Sequence, residues 1–262
     1  MKRLRFVPAL FLIGLTGSVI AYSTWLLFNH LTVGIHWDAD GHIFWQGQAP
    51  QQSSISLDAM IVSVDGVPPS ATDLTFAGKS SGESVTLTVT QGDQREDRVL
   101  QLTTPSLEEV SILGLGFPSA LTFWLVGSIL LLQSHTLGAR SLVAHLAGVF
   151  LLITGMEFAV GNLYVFGPPW FSLIYTSGVW VLGSLATILH LRFPREYRWG
   201  RGPVMTSLLL GIALLGILFD GLSANGTNPV LPALPFLWVA VHLLISLGHA
   251  AFMGVGAYAT AW

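Results

Sequence analysis

Asp58-Ala-Met-Ile-Val-Ser-Val-Asp-Gly-Val-Pro-Pro69 (DAMIVSVDGVPP) decides what kind of chain this is. Ile61-Val-Ser-Val64 favours a strand, and it stops at Asp65-Gly66, a dipeptide that turns the backbone because both residues tolerate positive φ. The next apolar run alternates: in Val85-Thr-Leu-Thr-Val-Thr90, residues Val85, Leu87 and Val89 fall on one face of a half-buried strand. The polar run Gln91-Gly-Asp-Gln-Arg-Glu-Asp97 then predicts a turn into Arg98-Val-Leu-Gln-Leu-Thr103, which completes a hairpin. Upstream, Asp40-Gly41 separates two more strand-like runs, Gly34-Ile-His-Trp37 and His42-Ile-Phe-Trp45. Five short strands therefore predict a small β-rich domain over residues 29–110.

The surroundings of that domain are of another kind. Of the 262 residues, 52% are hydrophobic and 10% charged, an apolar content beyond what one soluble core uses. A bilayer takes about 20 helical residues to cross. Apolar runs of that order lie near 6–28, 111–133, 141–160, 168–191, 203–222 and 233–258, predicting a bundle of about six transmembrane helices with the β-rich domain between the first and the second. The first run exceeds the roughly 7–15 residues of a signal-peptide core and ends at no small-x-small cleavage site, so it reads as an anchor.

Basic residues set the expected orientation. Lys2, Arg3 and Arg5 precede the first span, Arg140 follows the second, and Arg192, Arg195, Arg198 and Arg201 follow the fourth. Residues 29–110 hold only Lys79, Arg95 and Arg98 among many acids, including Asp38, Asp40, Asp58, Asp65, Asp73 and Glu83. The positive-inside rule then places the N-terminus in the cytoplasm and residues 29–110 outside it. The net charge of −3 hides this asymmetry and offers no basic patch for nucleic acid. With no cysteine, a disulfide framework and thiolate chemistry are excluded.

Ile61-Val-Ser-Val-Asp-Gly-Val-Pro68, a helix-like stretch near 71–79 and the strand Gly82-Glu-Ser-Val-Thr-Leu-Thr-Val89 follow one another in an order that resembles PDZ domains of the bacterial kind. Asp58-Ala59 replaces the Gly-Asp pair usual before the first of these strands, so the likeness is to a degenerate member. The resemblance implies peptide capture by strand addition, with backbone N–H groups of a glycine-containing loop holding the carboxylate. Carried onto this sequence, that loop is Thr32-Val-Gly-Ile35, giving Val33, Gly34 and Ile35 as candidates, with Leu74 and Phe76 facing them from the helix.

The fourth run ends in Leu189-His-Leu-Arg-Phe-Pro-Arg-Glu196. An inner helix end reading His190-Leu-Arg-Phe-Pro194, together with a PDZ-like insert after the first span, resembles the membrane sensor region of bacterial histidine kinases of the quorum-sensing type. Physically, the same motif builds a sound helix end: Pro194 cannot continue the helix, and Arg192 suits the C-terminal dipole and lipid phosphates.

Ionisable residues inside spans are functional candidates by default. Glu157 on the third span is the clear intramembrane acid. His145, His190 and His249 lie toward the inner side, and His242 shares a helix face with His249 two turns away. Paired histidines can ligate haem or metal, but no spacing here is specific, and interhelical hydrogen bonding is the commoner role. No metal, other cofactor or catalytic residue is assigned. The chain also lacks His-Glu-x-x-His, phosphate-loop and nucleophile-elbow motifs.

These readings give a multi-pass protein of the bacterial inner membrane: an N-terminal anchor over 1–28, a PDZ-like extracytoplasmic domain over 29–110 and a five-helix sensory bundle over 111–262. The expected function is the input half of a sensor histidine kinase, with the kinase core outside this chain. The alternatives are a PDZ-bearing membrane adaptor or protease partner that binds peptides or proteins, and a haem- or proton-handling membrane protein. The partners implied are a peptide or protein ligand at the outer domain, the lipid bilayer, and a second copy of the chain in a homodimer; nucleic acid is not among them.

Overall fold

A computed structural model describes residues 6–37, 40–47, 55–69, 76, 78–92, 94–134, 141–161, 163, 169–192 and 203–223. In chain order these form α1 (Phe6–Asn29), β1 (Ile35–Trp37), β2 (Ile43–Gln46), β3 (Met60–Val64), β4 (Ser84–Gln91), β5 (Gln94–Gln101), α2 (Leu107–Leu113), α3 (Phe117–Gln133), α4 (Ser141–Gly161), α5 (Pro169–Arg192) and α6 (Pro203–Ser223). They belong to two compact units: Ala21–Phe117 with Asn162–Phe171, which contains every strand among the described residues, and Met1–Ile20 with Pro118–Gly161 and Ser172–Trp262, whose described residues are helical.

β4 falls where alternation places it, and β1, β2 and β3 fall on the runs that flank the Asp-Gly turns. β3, β4 and β5 form an antiparallel sheet in that order, with Ile61 opposite Val89, Val64 opposite Leu87 and Val85 opposite Leu100. This register turns the apolar side chains of neighbouring strands toward one face, and a slip of one residue would expose them all. They are buried with Ile35, Trp37, Ile43, Phe76 and Leu102 in a single core. β1 and β2 form a separate antiparallel pair. Bridges from His42 to Met60 and from Thr32 to Thr103 tie that pair and the chain entering it to the larger sheet and its exit.

The turns have the predicted chemistry. Asp65 and Gly66 both have positive φ, 49° and 80°, between a reciprocal pair of backbone hydrogen bonds joining Val64 and Val67. Gly41 has φ 90°, and a Cβ there would run into the Ile61 carbonyl oxygen while the Ile61 N–H donates to Gly41 O. Two expectations need correction. The hairpin closes between Gln91 and Gln94, far tighter than a turn over 91–97, because Gly92 at φ 59° reverses the chain at once. A helix cannot run to residue 79, since Phe76 and Gly78 have positive φ; Leu74 and residues 70–75 lie outside the described residues.

Three helical segments, Val7–Asn29, Leu142–Gly161 and Trp170–Arg192, are long and apolar enough to cross a membrane, and α2 with α3 makes a fourth if that broken pair counts as one span. The apolar part of α6, Val204–Leu218, is shorter. The run at 233–258 lies outside the described residues. Within the helical unit α3 and α4 pack backbone to backbone through glycine. A Cβ on Gly148 would lie 2.8 Å from Leu131 N, one on Gly127 2.9 Å from Gly148 O, and one on Gly155 2.7 Å from Ala120 O. Small residues at such crossings are how helices gain packing where lipid supplies no hydrophobic drive.

Candidate functional site

Three side chains from distant parts of the β-rich unit meet in its interior. His30 directly follows α1, and its backbone N–H still donates to Leu26 O as if the helix continued. His36 is the middle residue of β1. Glu109 lies in the first turn of α2, where the Ser106 hydroxyl caps the helix by accepting from the Glu109 N–H. His30, His36 and Glu109 are 4%, 7% and 1% exposed.

His36 Nε2 donates to Glu109 Oε1 at 2.7 Å, and His30 Nε2 stands 3.4 Å from the same oxygen. Thr32 completes the shell. Its hydroxyl accepts from the Gly34 N–H and lies beside the Glu109 carboxylate. Burial pushes the Glu109 carboxyl up, but the hydrogen bond from His36, the imidazole of His30 and the Thr32 hydroxyl outweigh it and hold the pKa at about 2. Glu109 is therefore a buried carboxylate set between two imidazoles and a hydroxyl.

The orientation of His30 is fixed from behind. Its Nδ1 lies 3.1 Å from Leu26 O, and a carbonyl only accepts, so Nδ1 carries the proton. Nε2 is left facing Glu109. A cavity of about 10 Å³, room for one water, adjoins both imidazoles and is lined also by Thr32, Val33, Trp37 and Phe76. An open groove of about 460 Å³, lined by Tyr22, Trp25, Asn29, Lys79 and Phe76, also reaches His30.

Of the residues expected to capture a peptide, Val33, Ile35 and Phe76 belong to the core of the domain, and Phe76 also lines the open groove. The Gly34 N–H and C=O are both engaged inside the domain, with Thr32 and with the Gly47 N–H. The intramembrane candidates lie in the helical unit. Glu157 is 6% exposed on α4, with no hydrogen-bond partner for either carboxyl oxygen among the described residues, and a Cβ on Gly178 of α5 would run into its carboxyl group. His145 Nδ1 lies 3.5 Å from the Ser134 hydroxyl. His190 is half-buried in the last turn of α5, which ends at Arg192, and Arg192 donates to the Thr206 hydroxyl of α6. His242 and His249 lie outside the described residues.

Sequence reasoning passed over His30, His36 and Glu109, which span the whole inserted domain. One local signal existed. Ser106-Leu-Glu-Glu109 has the form of a capping box, in which the fourth residue normally reaches back to the cap N–H. Here the glutamate turns inward to the histidines instead. No protein-family model, curated protein or solved structure matches this chain.

Proposed function

We propose that the chain is the membrane input region of a signal-transducing sensor, of the histidine-kinase kind, with its PDZ-like domain outside the cytoplasm. The observation that carries this reading is the place of the buried triad. It joins the end of α1, the first strand of the domain and the start of α2, so the helices that enter and leave the domain are held by one polar cluster. The Thr32–Thr103 bridge reinforces the same junction. A peptide or protein that binds two arrangements of the domain with different affinity changes what both helix ends are tied to, and only such a difference shifts an equilibrium.

The test is a chimera in which a histidine-kinase core of known activity is fused after Trp262 and the protein is placed in lipid vesicles. Glu109→Gln, with the domain's fold checked by near-ultraviolet circular dichroism, is expected to change autophosphorylation severalfold. Val99→Ala on the exposed face of β5 is expected to leave it unchanged. Equal output from wild type and Glu109→Gln would sink the reading.

A further inference from the structure

We propose that His30, His36 and Glu109 form a binding site for a divalent transition metal of the zinc class, with the fourth position open to one water or small anion. The inference rests on the geometry of the triad and not on the sensory reading.

The donor set is the first argument. Two imidazole nitrogens and a carboxylate oxygen, all within 4.8 Å of one another and all buried, supply the ligand types that bind zinc and its neighbours. Tetrahedral bonds of about 2.0–2.1 Å separate ligand atoms by roughly 3.3 Å. The 3.4 Å between His30 Nε2 and Glu109 Oε1 already has that value. The 2.7 Å hydrogen bond from His36 must open by about half an ångström. The two imidazole nitrogens, within 4.8 Å of each other, must settle at the same separation.

The second argument is orientation. Leu26 O holds the proton of His30 on Nδ1, the carbonyl support that commonly fixes a metal-binding histidine. That leaves Nε2 as the ring nitrogen turned toward Glu109 Oε1, 3.4 Å away. The Thr32 hydroxyl lies beside the same carboxylate.

The space beside the triad selects the metal class. The adjoining cavity, about 10 Å³, admits one further water-sized ligand. That completes four-coordination, whereas an octahedral ion would need three more donors. The groove reaching His30 supplies an entry path. On binding, the metal displaces the proton that His36 Nε2 donates to Glu109, and that proton passes to Nδ1 of the same ring or to water.

Full-length protein, purified in detergent and stripped with a chelator, would be titrated with Zn²⁺ against a competing chromophoric chelator, and separately with Co²⁺ to read coordination by visible absorption. The expected result is one equivalent per chain, a four-coordinate Co²⁺ spectrum and a rise in melting temperature with Zn²⁺. His36→Ala and Glu109→Gln should each lose at least tenfold in affinity, and Thr32→Val about tenfold or more as a supporting residue. His42→Ala, exposed and outside the triad, should bind as wild type does. X-ray absorption of the Zn²⁺-loaded wild type needs no variant to fold, and it should show two imidazoles in a shell of nitrogen and oxygen. Weak, multiple binding that the triad variants leave unchanged, or a wild-type shell without imidazole, overturns the site. Either result leaves the kinase-chimera test of the sensory reading standing.

Discussion

The two units of the molecule each bury a glutamate, and they treat it in opposite ways. In the β-rich unit Glu109 accepts a hydrogen bond from His36 and has the His30 imidazole and the Thr32 hydroxyl beside it, so its charge is matched by polar neighbours. In the helical unit Glu157 is nearly as buried, yet both of its oxygens lack a hydrogen-bond partner among the described residues. A saturated buried charge is strongly coupled to its surroundings, and removing it strands the partners. A buried carboxyl without partners is held by the fold rather than holding it. The difference separates a group that organises structure from one kept at a structural cost.

The largest test of that contrast is Glu109→Ala. It leaves two imidazoles and a hydroxyl buried without their acceptor and should cost about 3–5 kcal/mol in chemical unfolding of the β-rich unit. A loss below about 1 kcal/mol would erase the contrast. Next comes the helical unit's own organising feature. Gly148→Ala places a methyl group against the α3 backbone and should cost about 1–3 kcal/mol by overpacking, read from the thermal unfolding of the protein in detergent.

Glu157→Leu sharpens the comparison from the other side. Replacing a carboxyl that has no hydrogen-bond partner among the described residues by an apolar side chain of similar size should change stability by less than about 1 kcal/mol or raise it. A drop as large as that of Glu109→Ala would mean Glu157 is also a keystone. The smallest expected effect is at Asp65, whose carboxyl is held below its usual value by hydrogen bonds from Lys79 and from the Thr86 N–H. Because the folded form has the lower pKa, its stabilisation is full above the unfolded value of about 3.9 and fades as pH falls through the folded one. This pair is partly exposed, so the contribution should not exceed about 1 kcal/mol, and Lys79→Ala should flatten stability between pH 5 and pH 2 by about that amount.

Much of the β-rich unit could be read from sequence because its determinants are local. Alternation at Val85, Leu87 and Val89 fixes which face is buried, and Asp65-Gly66 fixes the turn. The three long apolar helices were equally legible, since length and apolarity are properties of a contiguous segment. Two local details were not: Gly92 shortens the hairpin by its φ alone, and positive φ at Phe76 and Gly78 ends any helix before them. The triad was hidden for a different reason. His36 and Glu109 are 73 residues apart in sequence, and no periodicity or spacing rule connects residues that meet only when the sheets close. Val33 and Ile35 show the converse, because residue types suited to a groove are equally suited to a core, which they join, while Phe76 joins it and lines the open groove too.

The pairing of Thr32 with Thr103 has a consequence for how such a chain is made and altered. A domain whose first and last residues are neighbours can be set into a connection between two helices without prying them apart, as a guest joined at one point of attachment. On the ribosome, its closing contacts wait until residue 109 has been synthesised, long after α1 has emerged. Excising residues 33–102 and joining their flanks with a few glycines should therefore leave the helical segments free to insert, while taking His36 away from its partners.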